Sequence, residues 1–360
     1  MRGGSLSRLR LLFVSNVRLP ILRALALAGL AVLGLVLAAV SAAGSTQADD
    51  AAPSWSPSGK SIAFASRLPN GTWQIYTVNA GGGSRRALTH GALDSVDLSW
   101  SPSGKQIAFS RIAGGQLITG GHVYVMNAGG GSERRLTSGG GGYDELFDWS
   151  PDGKMLAFDR LTDGIGAIYV MNANGSGLKK LTPSPSDDDY WGVWSPDGTK
   201  IAFDRTGPNA FGDIWVMNAD GSGQKRLTAS PADELGSAWS PDGKKIAYQS
   251  NKTGHYQIYA MNSGGGGVGE AHGSAADASE PRWSPDGTKL AYQAQVNGNY
   301  EIFVVGANGA GTKQLTNVAF DNTDPAWSPD GKRIAFLSKR NGGDSVYVMN
   351  VDGSSQKRIA

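Results

Sequence analysis

The tripeptide Trp-Ser-Pro occurs seven times in this 360-residue chain, beginning at Trp55, Trp100, Trp149, Trp194, Trp239, Trp283 and Trp327. The steps between copies are 45, 49, 45, 45, 44 and 44 residues. A unit of that length, repeated with so little drift, cannot bury both of its faces alone and must stack on its neighbours.

The fourth copy shows what one unit contains. Gly192–Ser195 reads as a short strand, and Ser195-Pro196-Asp197-Gly198 as a turn with proline and glycine where a β-turn wants them. Lys200–Asp204 is a second strand, Thr206–Phe211 a loop, and Asp213–Asn218 an alternating, β-branched and aromatic third strand. Ala219–Gly223 is a hairpin turn and Lys225–Thr228 the outer strand. Four short strands per 44–49 residues, seven times over, predict an all-β, seven-bladed β-propeller of four-stranded antiparallel blades spanning 51–360. The chain enters on an inner strand and ends on an outer one, so the ring is expected to close by side-chain packing between blades one and seven. In blade five a glycine run, Gly264–Gly267, replaces the usual basic-Leu-Thr outer strand, which predicts a weak edge there.

The first fifty residues are different in kind. Arg2, Arg8, Arg10, Arg18 and Arg23 precede an uncharged apolar run from Ala24 to Val40, and small residues follow. That order predicts an N-terminal hydrophobic helix over 1–43 that acts as a signal peptide or a signal anchor, with 44–50 as linker. Cleavage after Ala42 or Ala48 suits a signal peptidase, and either outcome places the repeats outside the cytoplasmic membrane. The whole chain carries +2, and the leader holds five arginines and no acid, which leaves −3 for the rest. A basic pI is therefore a leader effect and gives no ground for nucleic-acid binding. Cysteine is absent, which excludes disulfides, thiolate metal sites and a lipoprotein anchor.

Trp-Ser-Pro-Asp-Gly-Lys-x-Ile-Ala-Phe, followed by Ile-Tyr-Val-Met-Asn-Ala-Asp-Gly and Arg-Leu-Thr, resembles the WD40-like (PD40) repeat of the TolB C-terminal propeller. The resemblance covers nearly everything from Ala51 onward and implies an extracytoplasmic propeller that holds a protein partner at its central channel. The pattern departs from TolB in two respects: seven repeats stand where TolB has six, and no α/β domain precedes them.

Acids recur in the loop entering each inner strand: Asp49 and Asp50; Asp94 and Asp97; Asp144 and Glu145; Asp187, Asp188 and Asp189; Asp233 and Glu234; Asp277 and Glu280; Asp321 and Asp324. Seven-fold repetition would ring one channel mouth with carboxylates and attract a basic segment or a cation. The alternative is that each Asp caps the turn into its strand, the role that repetition favours. Aromatics that break the repeat share this face, among them Tyr143, Phe147, Tyr190, Trp191, Phe211, Tyr256, Tyr300 and Phe320, and Tyr and Trp are the types that anchor interfaces. The partner-binding candidates are therefore Asp94, Asp97, Asp144, Asp188, Asp189, Glu234, Asp277 and Asp321 with Tyr143, Tyr190, Trp191, Phe211 and Tyr256. Lysines and arginines fall on the opposite hairpins and outer strands, where they read as a solvated, basic rim.

Catalysis finds little support in these residues. The four histidines, His90, His122, His255 and His272, are scattered over separate repeats without metal-ligand spacing, and no Gly-x-Ser-x-Gly elbow exists. A metal site of the kind found in TolB-like propellers of pectate-degrading lyases needs several convergent histidines, and the repeats leave no length for a hydrolase domain. The expectation is a non-catalytic, cofactor-free propeller that binds a protein or peptide segment, a basic one being what an acidic mouth would suit. A cell-surface glycan is the alternative ligand, a divergent lyase or hydrolase the more distant reading, and the membrane is touched only through the N-terminal segment.

Overall fold

A computed structural model describes residues 49–360 apart from 113–119, 140–141, 184–185, 208–210 and 273–275. The leader and residues 44–48 of the linker lie outside the described residues, and among those described no helix is long and apolar enough to cross a membrane.

Seven separate four-stranded antiparallel sheets follow one another along the chain, each formed by consecutive strands. Blade one comprises β1 (Asp50–Trp55), β2 (Ser61–Arg67), β3 (Trp73–Asn79) and β4 (Arg86–Ala87). The inner strands of blades two to seven are Asp94–Trp100, Tyr143–Trp149, Asp188–Trp194, Glu234–Trp239, Ala278–Trp283 and Asn322–Trp327.

Burial explains why the repeat is so regular. Each second strand carries Ile/Leu-Ala-Phe/Tyr at 0–1% exposure, because blades cover it on both sides. Its aromatic residue pairs across the hairpin with a third-strand aromatic, as Phe64 does with Tyr76 at 6.0 Å between ring centroids. The threonine of the Leu-Thr pair returns its hydroxyl to the third strand: Thr182 Oγ1 accepts from Ile168 N at 2.9 Å and Thr228 Oγ1 from Ile214 N at 2.9 Å.

The Trp-Ser-Pro-Asp-Gly turn joins neighbouring blades. Ser195 Oγ donates to Asp197 Oδ1 at 2.6 Å and accepts from Lys200 N at 2.9 Å, which fixes the turn and lowers the Asp197 pKa. Gly198 takes φ +70°, and a Cβ there would stand 3.6 Å from Pro151 of the preceding blade. The same proline-on-glycine contact recurs at every junction, including Pro329 on Gly59, which joins blade seven to blade one. The indoles do likewise. Trp100, Trp149, Trp239, Trp283 and Trp327 each donate from Nε1 to the carbonyl of the residue that precedes the tryptophan of the blade before. Trp55 donates to Ala326 O at 3.0 Å, so this chain of bonds also crosses the seam.

Among the described residues no strand is exchanged where the ring closes. Asp50 N bonds to Asp344 O at 2.8 Å, and Trp55, Ile62, Phe64 and Val78 share one core cluster with Ala335, Leu337, Val346 and Val348. Closure by packing, as the order of strands implied, is what the fold contains.

Two expectations need correction. The outer strand of blade five, Gly269–His272, is the longest of the seven rather than a weak edge, because Ile258, Tyr259 and Ala260 hold partners along it despite a bulge. The basic rim is also less free than expected. Arg134, Lys179, Lys225, Lys313 and Lys357 each donate to a main-chain carbonyl in the third hairpin turn of the next blade, Lys179 Nζ reaching Asp220 O at 2.8 Å. Nor is that face purely basic, since Asp152, Asp197, Asp242, Asp286 and Asp330 stand on its turns.

Candidate functional site

The acids of the entering loops divide by position. Those six residues before the tryptophan cap the third strand of the preceding blade: Asp94 Oδ1 accepts from Trp73 N at 2.8 Å, Asp188 from Gly166 N at 2.8 Å, Asp277 from Tyr256 N at 2.8 Å and Asp321 from Tyr300 N at 3.0 Å. Burial pushes the Asp94 carboxyl up against that hydrogen bond. Tyr256 thus meets Asp277 through its backbone, and half-buried Phe211 lies beside Gly212, which Asp233 caps at 2.9 Å.

One residue further on, the side chains turn inward. Asp144 is 1% exposed and receives Arg160 at 2.6 and 3.0 Å. Asp189 is fully buried and receives Arg205 at 2.5 and 2.9 Å, with desolvation still raising its pKa. Each arginine stacks over the aromatic pair of its own blade, Arg205 Cζ lying 4.6 Å from the Trp215 ring centre. Glu234 is buried too, with Ser230 Oγ donating to Oε1 at 2.8 Å. These groups tie strands together and present little of themselves to solvent.

Three residues before the tryptophan, the inner strand bulges toward the channel. Ala52, Asp97, Trp191, Glu280 and Asp324 adopt φ of 49–56° there, and Gly236 adopts 69°. Blade three departs: its pairing resumes at Leu146↔Phe158, and Leu146 is buried. Asp97 accepts from the hydroxyl of Tyr143 at 3.2 Å, while the Tyr143 ring is buried with Val96, Ile112 and Leu161. Half-buried Trp191 meets Tyr190 edge-on at 5.6 Å, and Tyr190 is anchored through its hydroxyl to Thr206 at 3.1 Å. Leu93 and Phe320, at 41% and 48% exposure, add apolar surface to the loops of this face.

The bulge residues Ala52, Glu280 and Asp324 help to line a central cavity of about 610 Å³, whose other walls are inner-strand and turn residues of blades one, two, three, five, six and seven. Its walls include Trp55, Trp100, Trp239, Trp283 and Trp327, and its polar groups include Asp148, Glu280, Arg282 and Asp324. Asp148 and Arg282 both directly precede a repeat tryptophan, where the other blades carry Ser54, Ser99, Val193, Ala238 and Ala326. Neither lies in an entering loop, so the recurring acids of those loops do not point to them. The signal that could have found them is a charge in a column that otherwise holds small or apolar residues. Arg282 Nη2 donates to Glu280 Oε2 at 2.6 Å. Asp148 stands exposed to the lumen, yet the surrounding protein raises its carboxyl pKa against hydrogen bonds from Ser99 Oγ at 2.6 Å and Trp149 N at 2.7 Å.

Among the described residues no three His, Cys, Asp or Glu side chains are grouped to hold a metal ion. His122 contacts Arg135 and Asp144, and His255 lies 3.8 Å from Asp277, so the two serve separate local contacts.

The profile of the PD40 TolB β-propeller domain matches residues 30–146, 192–278 and 267–360. No curated protein matches the chain in sequence. Among solved structures, TolB from Acinetobacter baumannii is 18% identical, with a TM-score of 0.56 over 83% of this chain and 76% of its own. An oligogalacturonate lyase from Vibrio parahaemolyticus is 16% identical, with a TM-score of 0.67 over 85% of this chain and 92% of its own. A puromycin-hydrolyzing peptidase from Mycobacterium tuberculosis is 13% identical, with a TM-score of 0.69 over 86% of this chain but 53% of its own. At these identities the likeness is one of fold.

Proposed function

The chain belongs to the TolB β-propeller domain family (PD40), and on that premise we propose that it is a non-catalytic, extracytoplasmic propeller, exported or anchored by its leader, that binds a protein or peptide segment at its channel-mouth face. One observation carries this reading. Trp191 is a half-buried indole on a left-handed bulge, braced by Tyr190, at a position where the other blades present Ala, Asp, Leu, Gly and Glu. A braced, part-exposed tryptophan loses little side-chain entropy on contact and has the character of an interface anchor. The exposed Leu93 and Phe320 on the same face support the reading.

The full chain serves as bait in a cell-surface extract, with crosslinking and mass spectrometry, beside a bait carrying Trp191→Ala. Capture of one protein by the native bait, crosslinked to the loop face and reduced at least about tenfold by the substitution, is the expected result. Asp189 is left unchanged, because its buried ion pair would confuse a folding defect with a binding defect. Equal capture by both baits would move the interface elsewhere. Enrichment of a surface glycan with no protein would favour the alternative ligand, which uses the same indole with Asp and Asn as hydroxyl acceptors.

A further inference from the structure

We propose that the propeller rests on the membrane that holds its leader, through the rim of the loop face where the chain enters, with Leu93 and Phe320 seated in the lipid interface. This goes beyond the peptide reading: it takes the leader as an anchor and needs no protein partner.

The exposed apolar residues are placed selectively. Four large ones stand out among the described residues, Leu93 and Phe320 on the loop face and Leu178 and Val268 next to outer strands at the third hairpins of the opposite face. Leu93 and Phe320 occupy one column, seven residues before the repeat tryptophan and directly before the capping Asp94 and Asp321. The other blades carry Ala48, Gly142, Asp187, Ala232 and Ala276 in that column. The large residues therefore mark two junctions, blade one with two and blade six with seven. Between those two junctions lies the seam, and the chain enters the ring there. Asp49 O accepts from Arg67 N at 2.8 Å, and Asp50 N donates to Asp344 O at 2.8 Å. One exposed apolar side chain thus stands on each side of the point of entry. Single exposed apolar residues need no explanation, but a pair that brackets the tether does.

Chain length supplies the occupant. The apolar run Ala24–Val40 ends nine residues before Asp49. Fully extended, that stretch reaches about 30 Å, so a bilayer spanned by the run lies close to this rim and to no other. A second contact on so short a tether is intramolecular, and two side chains suffice where a free protein would need a larger patch.

Charge does not oppose the contact. The loops that lead to the two residues, His-Gly-Ala-Leu at 90–93 and Asn-Val-Ala-Phe at 317–320, carry no acid. The acids that follow them are engaged, Asp94 by Trp73 N, and Asp321 by Tyr300 N and by Lys339 at 3.1 Å. Arg67, at the point of entry, is exposed and suits headgroup phosphates. Trp191 belongs to blade four, three blades from blade one in one direction and three from blade seven in the other, so contact at the seam leaves that indole to its partner.

Because the chain has no cysteine, a dye can be placed at one site at a time. Full chains carrying Leu93→Cys, Phe320→Cys, Leu178→Cys or Val268→Cys are labelled with nitrobenzoxadiazole. They are reconstituted, leader intact, into vesicles of phosphatidylcholine and phosphatidylglycerol with or without brominated acyl chains. A blue shift and bromine quenching are expected at positions 93 and 320, and neither at 178 and 268. Adding Phe320→Asp should remove the quenching at position 93, because a charge in place of one apolar contact releases the rim. Absence of quenching at 93 and 320, equal quenching at all four sites, or quenching at 93 that ignores Phe320→Asp would each overturn the proposal. Capture of a protein through Trp191 is read separately. Without quenching, Leu93 and Phe320 return to the partner surface and the peptide reading stands. With quenching and no captured protein, the membrane contact stands and the Trp191 interface falls.

Discussion

The turn face and the channel wall are built from the same seven inner strands, yet they follow opposite rules. On the turn face each junction repeats one arrangement, a proline on a glycine, and six of the seven indoles donate to the neighbouring blade's carbonyl. The wall above it differs blade by blade, with Ala, Asp, Leu, Trp, Gly, Glu and Asp at one column and a lone Asp and a lone Arg at another. The exception among the indoles connects the two. Among the described residues Trp194 Nε1 has no hydrogen-bond partner, and the carbonyl it would meet belongs to Asp148, in the blade whose bulge lies out of register. Uniformity is what a closed ring demands of its joints, and individuality is left to the surface that no neighbouring blade covers.

The largest effect should come from the irregular side. Arg205→Ala leaves Asp189 buried without its ion-pair partner, and urea denaturation should show a loss of about 3–5 kcal/mol. A loss below about 1 kcal/mol would mean that water replaces the guanidinium, and that this side is as tolerant as the other.

Next comes the seam. Asp50 is 2% exposed with Arg85 3.6 Å away, and burial pushes its pKa up to about 6 from 3.8. A pKa raised in the folded state means that its contribution is complete below about pH 4 and is lost as pH rises through about 6. Asp50→Asn should therefore match the native chain in acid and exceed it at neutral pH by up to about 3 kcal/mol. Equal pH profiles would show that the seam is no worse solvated than the other junctions.

The smallest effect belongs to the regular side. Lys179→Ala removes one of five equivalent cross-blade bonds at an exposed site and should cost less than about 1 kcal/mol in the same assay. A larger loss would make the rim lysines principal joints of the ring.

The repeat made the fold legible at the level of single strands, because every blade solves the same burial problem with the same Ile-Ala-Phe and Trp-Ser-Pro residues. The site was legible only in part. The capping role of Asp94 and Asp188 follows from a regular column, but whether Asp144 and Asp189 face solvent or an arginine depends on Arg160 and Arg205, sixteen positions away in sequence. Asp148 lay in view as a charge before a tryptophan. Its place in a lumen depends on how deeply six inner strands approach one another, which spacing along one chain does not encode.

The seam also bears on how the chain is threaded. Since blade seven meets blade one through packed side chains and a main-chain bond, with no borrowed strand among the described residues, each blade is a complete, uninterrupted stretch of sequence. Relocating the termini to the loop between any two blades would preserve every sheet, so the molecule is, in connectivity, a cyclic string of seven interchangeable starting points, of which this chain uses one.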